Sequence, residues 1–376
     1  MIATKGFAAQ EVEHTYIRAR ELCRQVGDTR HLFQVLWGLR LVYMARAKLQ
    51  QARVLAEEML TLAQPQQDTA LLLEAHFVLG YIVFWLGELD LARTHLEQSV
   101  ALYDTQQHRT LAFVYGVSDP GVRCLAVSAH VLLLLGYPDQ ALQRSHAALS
   151  LAQELAYSFS LGYALTVAAM QQQLRRETVL TQARAEALLA LSREHGFVSW
   201  VTMGTILRGW ALAAQGQVAE GVAQMREGLA VRRVSGHEVH KTHFLALLAE
   251  GYGQSGQPTE GLTVLAEALA AVDQSGVRFY EAELYRLKGE LLLAQAGTEH
   301  KGQEAEACFQ QALAVARRQQ AKWLELRAAT SLSRLWQQQG RPDAARHLLT
   351  EVYGWFTEGF ETPDLKAAQA LLAELA

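Results

Sequence analysis

Apolar residues return every three or four positions along this chain, in helix-length stretches broken by short polar or glycine-bearing turns. Two of the stretches nearly repeat each other. Residues 216–229 read GQVAEGVAQMREGL, and 40 positions on, residues 256–269 read GQPTEGLTVLAEAL. In both, a turn glycine is followed by a small residue (Gly221, Gly261) and then by an apolar one (Met225, Leu265). The small residue recurs as Ala52, Ala92, Ala141, Gly221, Gly261, Ala305 and Ala345, at steps of 40, 49, 80, 40, 44 and 40. The step of 80 is two units with a degenerate middle copy near Thr181. The steps of 49 and 44 are one unit each with insertions of nine and four residues. A fixed period with discrete insertions marks an array of units that bury their apolar faces only by stacking. About eight helical hairpins follow from this spacing.

The periodicity places a single helix at residues 8–26, shaped like the second helix of a repeat whose first is missing. Hairpins follow at 32–46 with 49–63, and at 71–86 with 89–103. Periodicity then lapses over 104–121, where Tyr115-Gly116 and Asp119-Pro120-Gly121 are turn formers. Further hairpins span 122–135 with 138–154, 159–174 with 179–194, and 200–215 with 218–234. The last three span 239–255 with 258–274, 279–295 with 303–319, and 322–338 with 342–356. A lone helix at 362–375 would cover the terminal apolar face. Leu79-Gly80, Gly87, Ala92 and Leu96 match the tetratricopeptide pattern; the turn at Ala47 departs from it by lacking glycine. The expected fold is therefore an all-α, right-handed α-solenoid of tetratricopeptide-like hairpins. A truncated repeat (1–27), the array (28–361) and a capping helix (362–376) make up one domain.

Laying the tetratricopeptide register on the chain from each turn glycine selects the positions that would face an inner groove. In the N-terminal half they are Trp37, Phe77, Tyr81, Arg123, His130, Tyr163 and Trp210, largely aromatic. In the C-terminal half they are His243, Glu250, Glu283, Arg286, Glu290, Arg327 and Arg334, charged with both signs. A partner segment would lie between aromatic contacts at one end and charge pairs at the other. Part of the aromatic half could equally be buried packing.

Catalytic and cofactor motifs are absent from the sequence. It contains no phosphate-loop run, no H-E-x-x-H and no G-x-S-x-G elbow. His237, His240 and His243 are spaced by three, which rotates His243 off the face shared by the other two. With no cysteine nearby, a surface histidine cluster is favoured over a zinc site. The paired arginines Arg175-Arg176, Arg232-Arg233 and Arg317-Arg318 could hold an acidic ligand. Two of the pairs sit near the end of a second helix, which favours instead a solvated role opposite the helix dipole. No cofactor and no metal are expected.

Composition sharpens this picture in few respects. The chain is 376 residues long and half apolar, with only 6 prolines, as suits an all-helical protein. Net charge is −4 without a basic block, which disfavours nucleic acid. Cys23, Cys124 and Cys308 are far apart and read as free thiols in a reducing compartment. No signal-type segment follows Met1, and the most apolar run, 126–135, is too short to span a bilayer. A soluble cytoplasmic protein is expected.

Long stretches carry a resemblance. They are YEAELYRLKGELLL at 280–293, the run 304–340, YGWFTEGFETPDL at 353–365, and YGVSDPGV at 115–122. The chain resembles the C-terminal tetratricopeptide tail of bacterial proteins in which a class III adenylate/guanylate cyclase or other output module precedes an AAA/STAND-type ATPase. The resemblance covers essentially the whole chain and is loosest in the first sixty residues. It implies a tail without catalytic residues, acting as a sensor or docking surface for upstream ATPase and cyclase domains. It also implies that Met1 falls inside a repeat, as in a fragment, a separate downstream reading frame or a protein that lost its N-terminal domains. The expected function is a non-catalytic protein–protein interaction or regulatory module. The rival expectation is a small-molecule sensor of the kind found in large LuxR-type transcription activators, which a closed apolar pocket would favour.

Overall fold

The computed structural model describes residues 10–115, 118–236, 238–295 and 299–376. Every regular element among them is helical. Helix α1 (Gln10–Val26) leads into hairpins α2 (Thr29–Ala45) with α3 (Leu49–Ala63), and α4 (Thr69–Trp85) with α5 (Leu89–Leu102). Two short helices follow, α6 (Thr105–His108) and α7 (Leu111–Tyr115). The array resumes with α8 (Pro120–Leu134) and α9 (Pro138–Glu154), α10 (Ser158–Leu174) and α11 (Thr178–His195), and α12 (Val198–Ala214) and α13 (Val218–Ser235). It continues with α14 (Lys241–Gln254) and α15 (Pro258–Ser275), α16 (Glu281–Ala294) and α17 (Glu299–Gln319), and α18 (Lys322–Gln338) and α19 (Pro342–Tyr353). Helix α20 (Pro363–Glu374) ends it. The fold is an all-α, tetratricopeptide-like solenoid of helical hairpins.

The turns explain why the helices stop where they do. Gly87, Gly136, Gly216, Gly256 and Gly340 each take a positive φ between the two helices of a hairpin. Ala47 adopts the same left-handed conformation, with φ 53°, so the turn survives the missing glycine at a cost of about 1–2 kcal/mol. The small residues do what their spacing suggests. Ala52, Ala92, Ala141, Ala305 and Ala345 are fully buried where the two helices of a hairpin approach. A Cβ on Gly221 would lie 2.4 Å from the Gly209 carbonyl oxygen, so the backbones of α12 and α13 meet directly. Thr181, at the degenerate position, is also fully buried; its hydroxyl donates to the Glu177 carbonyl.

The segment 104–121 is more regular than its turn formers suggest. Asp104 accepts from the Gln107 amide and His108 is buried, which nucleates α6. Gly116 and Val117 lie outside the described residues, as do 296–298 in the second insertion.

First helices neighbour first helices along the array, forming an inner layer, and the second helices pack outside them. The array also curls onto itself. The Arg278 amide donates to the Trp85 carbonyl at 2.8 Å, the Glu238 amide to the Ala45 carbonyl at 2.9 Å, and Trp323 Nε1 to the Leu174 carbonyl at 3.2 Å. Helices α8 and α18 touch although some 200 residues separate them in the chain. The connector between α19 and α20 closes the far side: Glu358 caps α9 by accepting from the Asp139 and Gln140 amides, and the Gly359 amide donates back to Asp139. One apolar cluster consequently runs from Leu32 to Leu375. The N-terminal part of the superhelix axis is filled with side chains, and this decides where a site can open.

Candidate functional site

The two halves of the expected groove have different fates. In the N-terminal half the inward-facing residues form a packed interior. Trp37 is 2% exposed, donates through Nε1 to Glu74 at 2.9 Å and stacks on Tyr115. Glu74, fully buried, also accepts from Arg123, whose guanidinium lies over the Phe77 ring at 4.5 Å. Phe77 stacks on Tyr81, and Tyr81 meets Trp85 edge-on. His130 is buried between Phe84 and Phe279, its Nε2 without a hydrogen-bond partner; burial holds its pKa down to about 4. Tyr163 and Tyr81, both partly buried, line a small cavity of about 70 Å³ together with His130, Met170 and Trp200. Trp210 is buried, with Nε1 donating to Glu250 at 2.9 Å. These aromatic positions are core, because the incoming C-terminal repeats occupy the space a groove would need.

The C-terminal half opens. A recess of about 570 Å³ lies between the end of α10, helices α14, α16 and α18, and the first turn of α20. Leu287, Leu291, Ala294, Pro363 and Ala367 give it apolar surface, while Glu250, Arg286, Glu290, Arg327 and Arg334 line it with charge. Helical spacing sets this lining: Arg286 and Glu290 are one turn apart on α16, and Arg327, Ser331 and Arg334 follow one face of α18. His243 and Glu283, the two remaining expected positions, do not line the recess. His243 is fully buried, with Nε2 2.8 Å from Gln173 Oε1, and burial holds its pKa down to about 3.

Beneath the recess sits Glu283, 2% exposed. Arg286 grips it with two bonds, Nε to Oε2 at 2.9 Å and Nη2 to Oε1 at 2.8 Å, and Arg327 Nη1 stands 3.1 Å from Oε1. Burial pushes the Glu283 carboxyl up, but the two guanidinium groups outweigh it and hold it at about 2. Arg286 reaches on to Glu290 at 3.2 Å, and the Ser331 hydroxyl donates to Glu290 at 2.6 Å.

Two charged recess residues, Arg176 and Asp364, stand outside the tetratricopeptide register positions. Arg176 takes a positive φ of 58° in the α10–α11 turn and lies 3.6 Å from Glu250 and 3.4 Å from Asp364. Asp364, from the first turn of α20, also lies 3.2 Å from Arg327. Arg176 was visible in the sequence as half of an arginine pair expected to be solvated. One member of each of two pairs departs from that expectation, while Arg317-Arg318 is exposed as expected: Arg175 and Arg232 are each 5% exposed, Arg175 donating to the Pro138 carbonyl and Arg232 lying over Phe244. Their long aliphatic stems pack while the charged ends find partners inside the curled array.

The histidine triad rests on His237, which lies outside the described residues. His240 stacks on Phe244 and meets Trp85 edge-on. Among the described residues no group of three or more His, Cys, Asp or Glu side chains is placed to hold a metal ion. All three cysteines are free thiols. No single described helix is long and apolar enough to cross a membrane.

No family model matches the chain. It is 24% identical over 343 residues to an uncharacterised protein of Rhizobium meliloti (strain 1021), covering 89% of this chain and 32% of that protein. The chain thus spans about a third of the length of that curated relative. Among solved structures it resembles a Rap protein complexed with competence and sporulation factor, with a TM-score of 0.63 and 11% identity, over 98% of this chain and 100% of that one. It is also similar to a Signal Transduction ATPase with Numerous Domains (STAND) protein with a tetratricopeptide repeat sensor, from Pyrococcus horikoshii. There the TM-score is 0.42 and the identity 14%, over 98% of this chain and 55% of that one.

Proposed function

We propose that this chain is a non-catalytic recognition module that binds a peptide segment of a protein partner in the charged recess among α14, α16, α18 and α20. The observation that carries the reading is the recess itself. Its volume of about 570 Å³ falls within the range of ligand sites, and it joins apolar surface to charges of both signs. Peptide segments present the same mixture of apolar side chains, carbonyls and amides. The Rap protein of the same fold is complexed with competence and sporulation factor, which supports reading an array of this shape as a receiver. The rival small-molecule reading has less support: the mainly apolar cavity near His130 measures about 70 Å³, far below the size of an ordinary ligand site.

The partner reading extends to regulation. The upstream ATPase and cyclase domains rest on the sequence resemblance. The threefold greater length of the Rhizobium meliloti relative is in keeping with further domains beside such an array. A segment bound in the recess would touch α20 and the end of α10 together, and so bias the closure of the superhelix. The test is a screen of random fluorescent hexapeptides by anisotropy, repeated with Glu290→Arg. Hits that weaken at least tenfold in the variant are expected, because Glu290 is accessible in the recess. A library without hits, or hits indifferent to Glu290→Arg, would overturn the assignment.

A further inference from the structure

The recess is charge-balanced on paper, but its hydrogen-bonding capacity is not. Of the four carboxylates in and beneath it, three are hydrogen-bonded by protein groups: Glu250 by Trp210, Glu283 by Arg286, and Glu290 by Arg286 and Ser331. Donor capacity is left over. Arg334 is exposed and has no ion-pair partner among the described residues, although it shares the α18 face with Arg327. Arg327 is 5% exposed, yet its Nε and Nη1 make no hydrogen bond. Arg176 Nε likewise makes none.

Asp364 sits between these two arginines, and its fit is poor. It lies within ion-pair distance of both, at 3.4 and 3.2 Å, but its Oδ2 accepts no hydrogen bond. A carboxylate free to orient could meet a guanidinium side-on with two parallel bonds, which is the strong geometry for this pair. Asp364 cannot, because α20 fixes it: Leu365, Ala368 and Leu371 on the same helix are buried against the array. The start of α20 favours an anion as well, since Thr362 provides no side-chain cap to its free amides.

We propose that Asp364 is a resident competitor, occupying an anion site that a carboxylate of the partner peptide takes over. Arg334 meets the incoming carboxylate first. The exchange at Arg176 and Arg327 then releases the Asp364 side chain and loosens the first turn of α20. Binding in the recess is thereby coupled to the element that closes the superhelix. This rests on the peptide reading above.

The test uses three matched sets of fluorescent hexapeptides: free C-terminus without acidic side chains, amidated C-terminus with one Asp, and amidated without any acid. Each set is titrated against the wild-type chain, Asp364→Asn and Arg334→Gln, with Arg341→Gln as a control, since Arg341 is exposed and pairs with Glu306. Acid-bearing peptides are expected to bind Asp364→Asn about tenfold tighter than wild type and Arg334→Gln about tenfold weaker, the effect of one charge-assisted pairing. Acid-free peptides should respond to neither. Whichever acid-bearing set responds tells a chain terminus from an acidic side chain. Because Asp364→Asn also loosens α20, hydrogen exchange on the wild-type chain gives a second reading: amides from Lys366, which donates to the Thr362 carbonyl, to residue 369 should exchange faster when acid-bearing peptide is bound. Equal affinities for wild type and Asp364→Asn together with unchanged exchange would overturn the competitor role and leave peptide binding standing. If none of the sets binds any form, the peptide reading falls and this inference with it.

Discussion

Glu283 offers the sharpest test of how the charged recess is held. Replacing it with glutamine leaves Arg286 and Arg327, 6% and 5% exposed, without their shared counter-charge. Removing one member of a buried, hydrogen-bonded ion pair costs about 3–5 kcal/mol. The titration gives a second route to the magnitude. Burial raises the Glu283 pKa and the arginines lower it, with a net fall from 4.5 to about 2. That fall corresponds to about 3 kcal/mol of stabilisation at neutral pH. Because the folded pKa lies below the unfolded one, the stabilisation is complete above pH 4.5 and drains away as pH falls toward 2. At an unfolding entropy of about 2.1 cal/mol/K per residue, a chain of this length loses about 4–6 °C of melting temperature at pH 7. Melts followed by circular dichroism for wild type and Glu283→Gln, at pH 7 and pH 3, measure this. The difference should shrink to less than half at pH 3. A loss under about 1 °C, or one equal at the two pH values, would refute the view that this carboxylate holds the two arginines. Glu290→Gln is the control, its side chain 43% exposed, with an expected cost of about 1 kcal/mol or less.

Three further outcomes are expected. Gly136 and Gly216 share a φ of +93°, but a Cβ at Gly136 would lie 2.5 Å from the Trp355 ring, whereas nothing lies within 4 Å at Gly216. Gly216→Ala should therefore cost about 1–2 kcal/mol of backbone strain, and Gly136→Ala about 1–3 kcal/mol more in denaturant titrations; equal costs would show that the closing contact contributes nothing. His130→Leu should hold its stability better than wild type on acidification. The wild-type ring stays neutral to about pH 4 while the unfolded chain takes up a proton near pH 6.5, so between pH 7 and pH 5 the variant should lose about 2 kcal/mol less. Cys124 is buried, and burial pushes its thiol up to about 12; it should react with Ellman's reagent only in denaturant, whereas the half-buried Cys23 and Cys308 should react in the native state.

The hairpins were legible because each is a local object. A residue spacing such as Gly80 with Ala92 and Leu96 specifies which faces of two consecutive helices meet, and a Cβ at Gly80 would indeed crowd Leu96 at 2.9 Å. The candidate site was legible in part for the same reason: Arg286 with Glu290, and Arg327 with Arg334, share faces by helical arithmetic alone. Asp364 and Arg176 were not legible as site residues. Their meeting depends on the position of α20 against the end of α10, nearly 190 residues away in the chain. Nor could periodicity separate a groove-lining aromatic from a core one. Trp37 and Trp210 sit at positions that face inward, and whether inward means open depends on what returns to fill the axis.

The sequence by itself determined the repeat, the helix pairs and the inner face of each, since these follow from spacing within a single unit. The tertiary structure alone decided the curvature. The rotation from one hairpin to the next is small, and only its sum along the array brings Arg278 to Trp85 and Glu358 to Asp139. That sum packs the N-terminal half of the interior and leaves the C-terminal half open, where paired charges on α14, α16 and α18 border the recess.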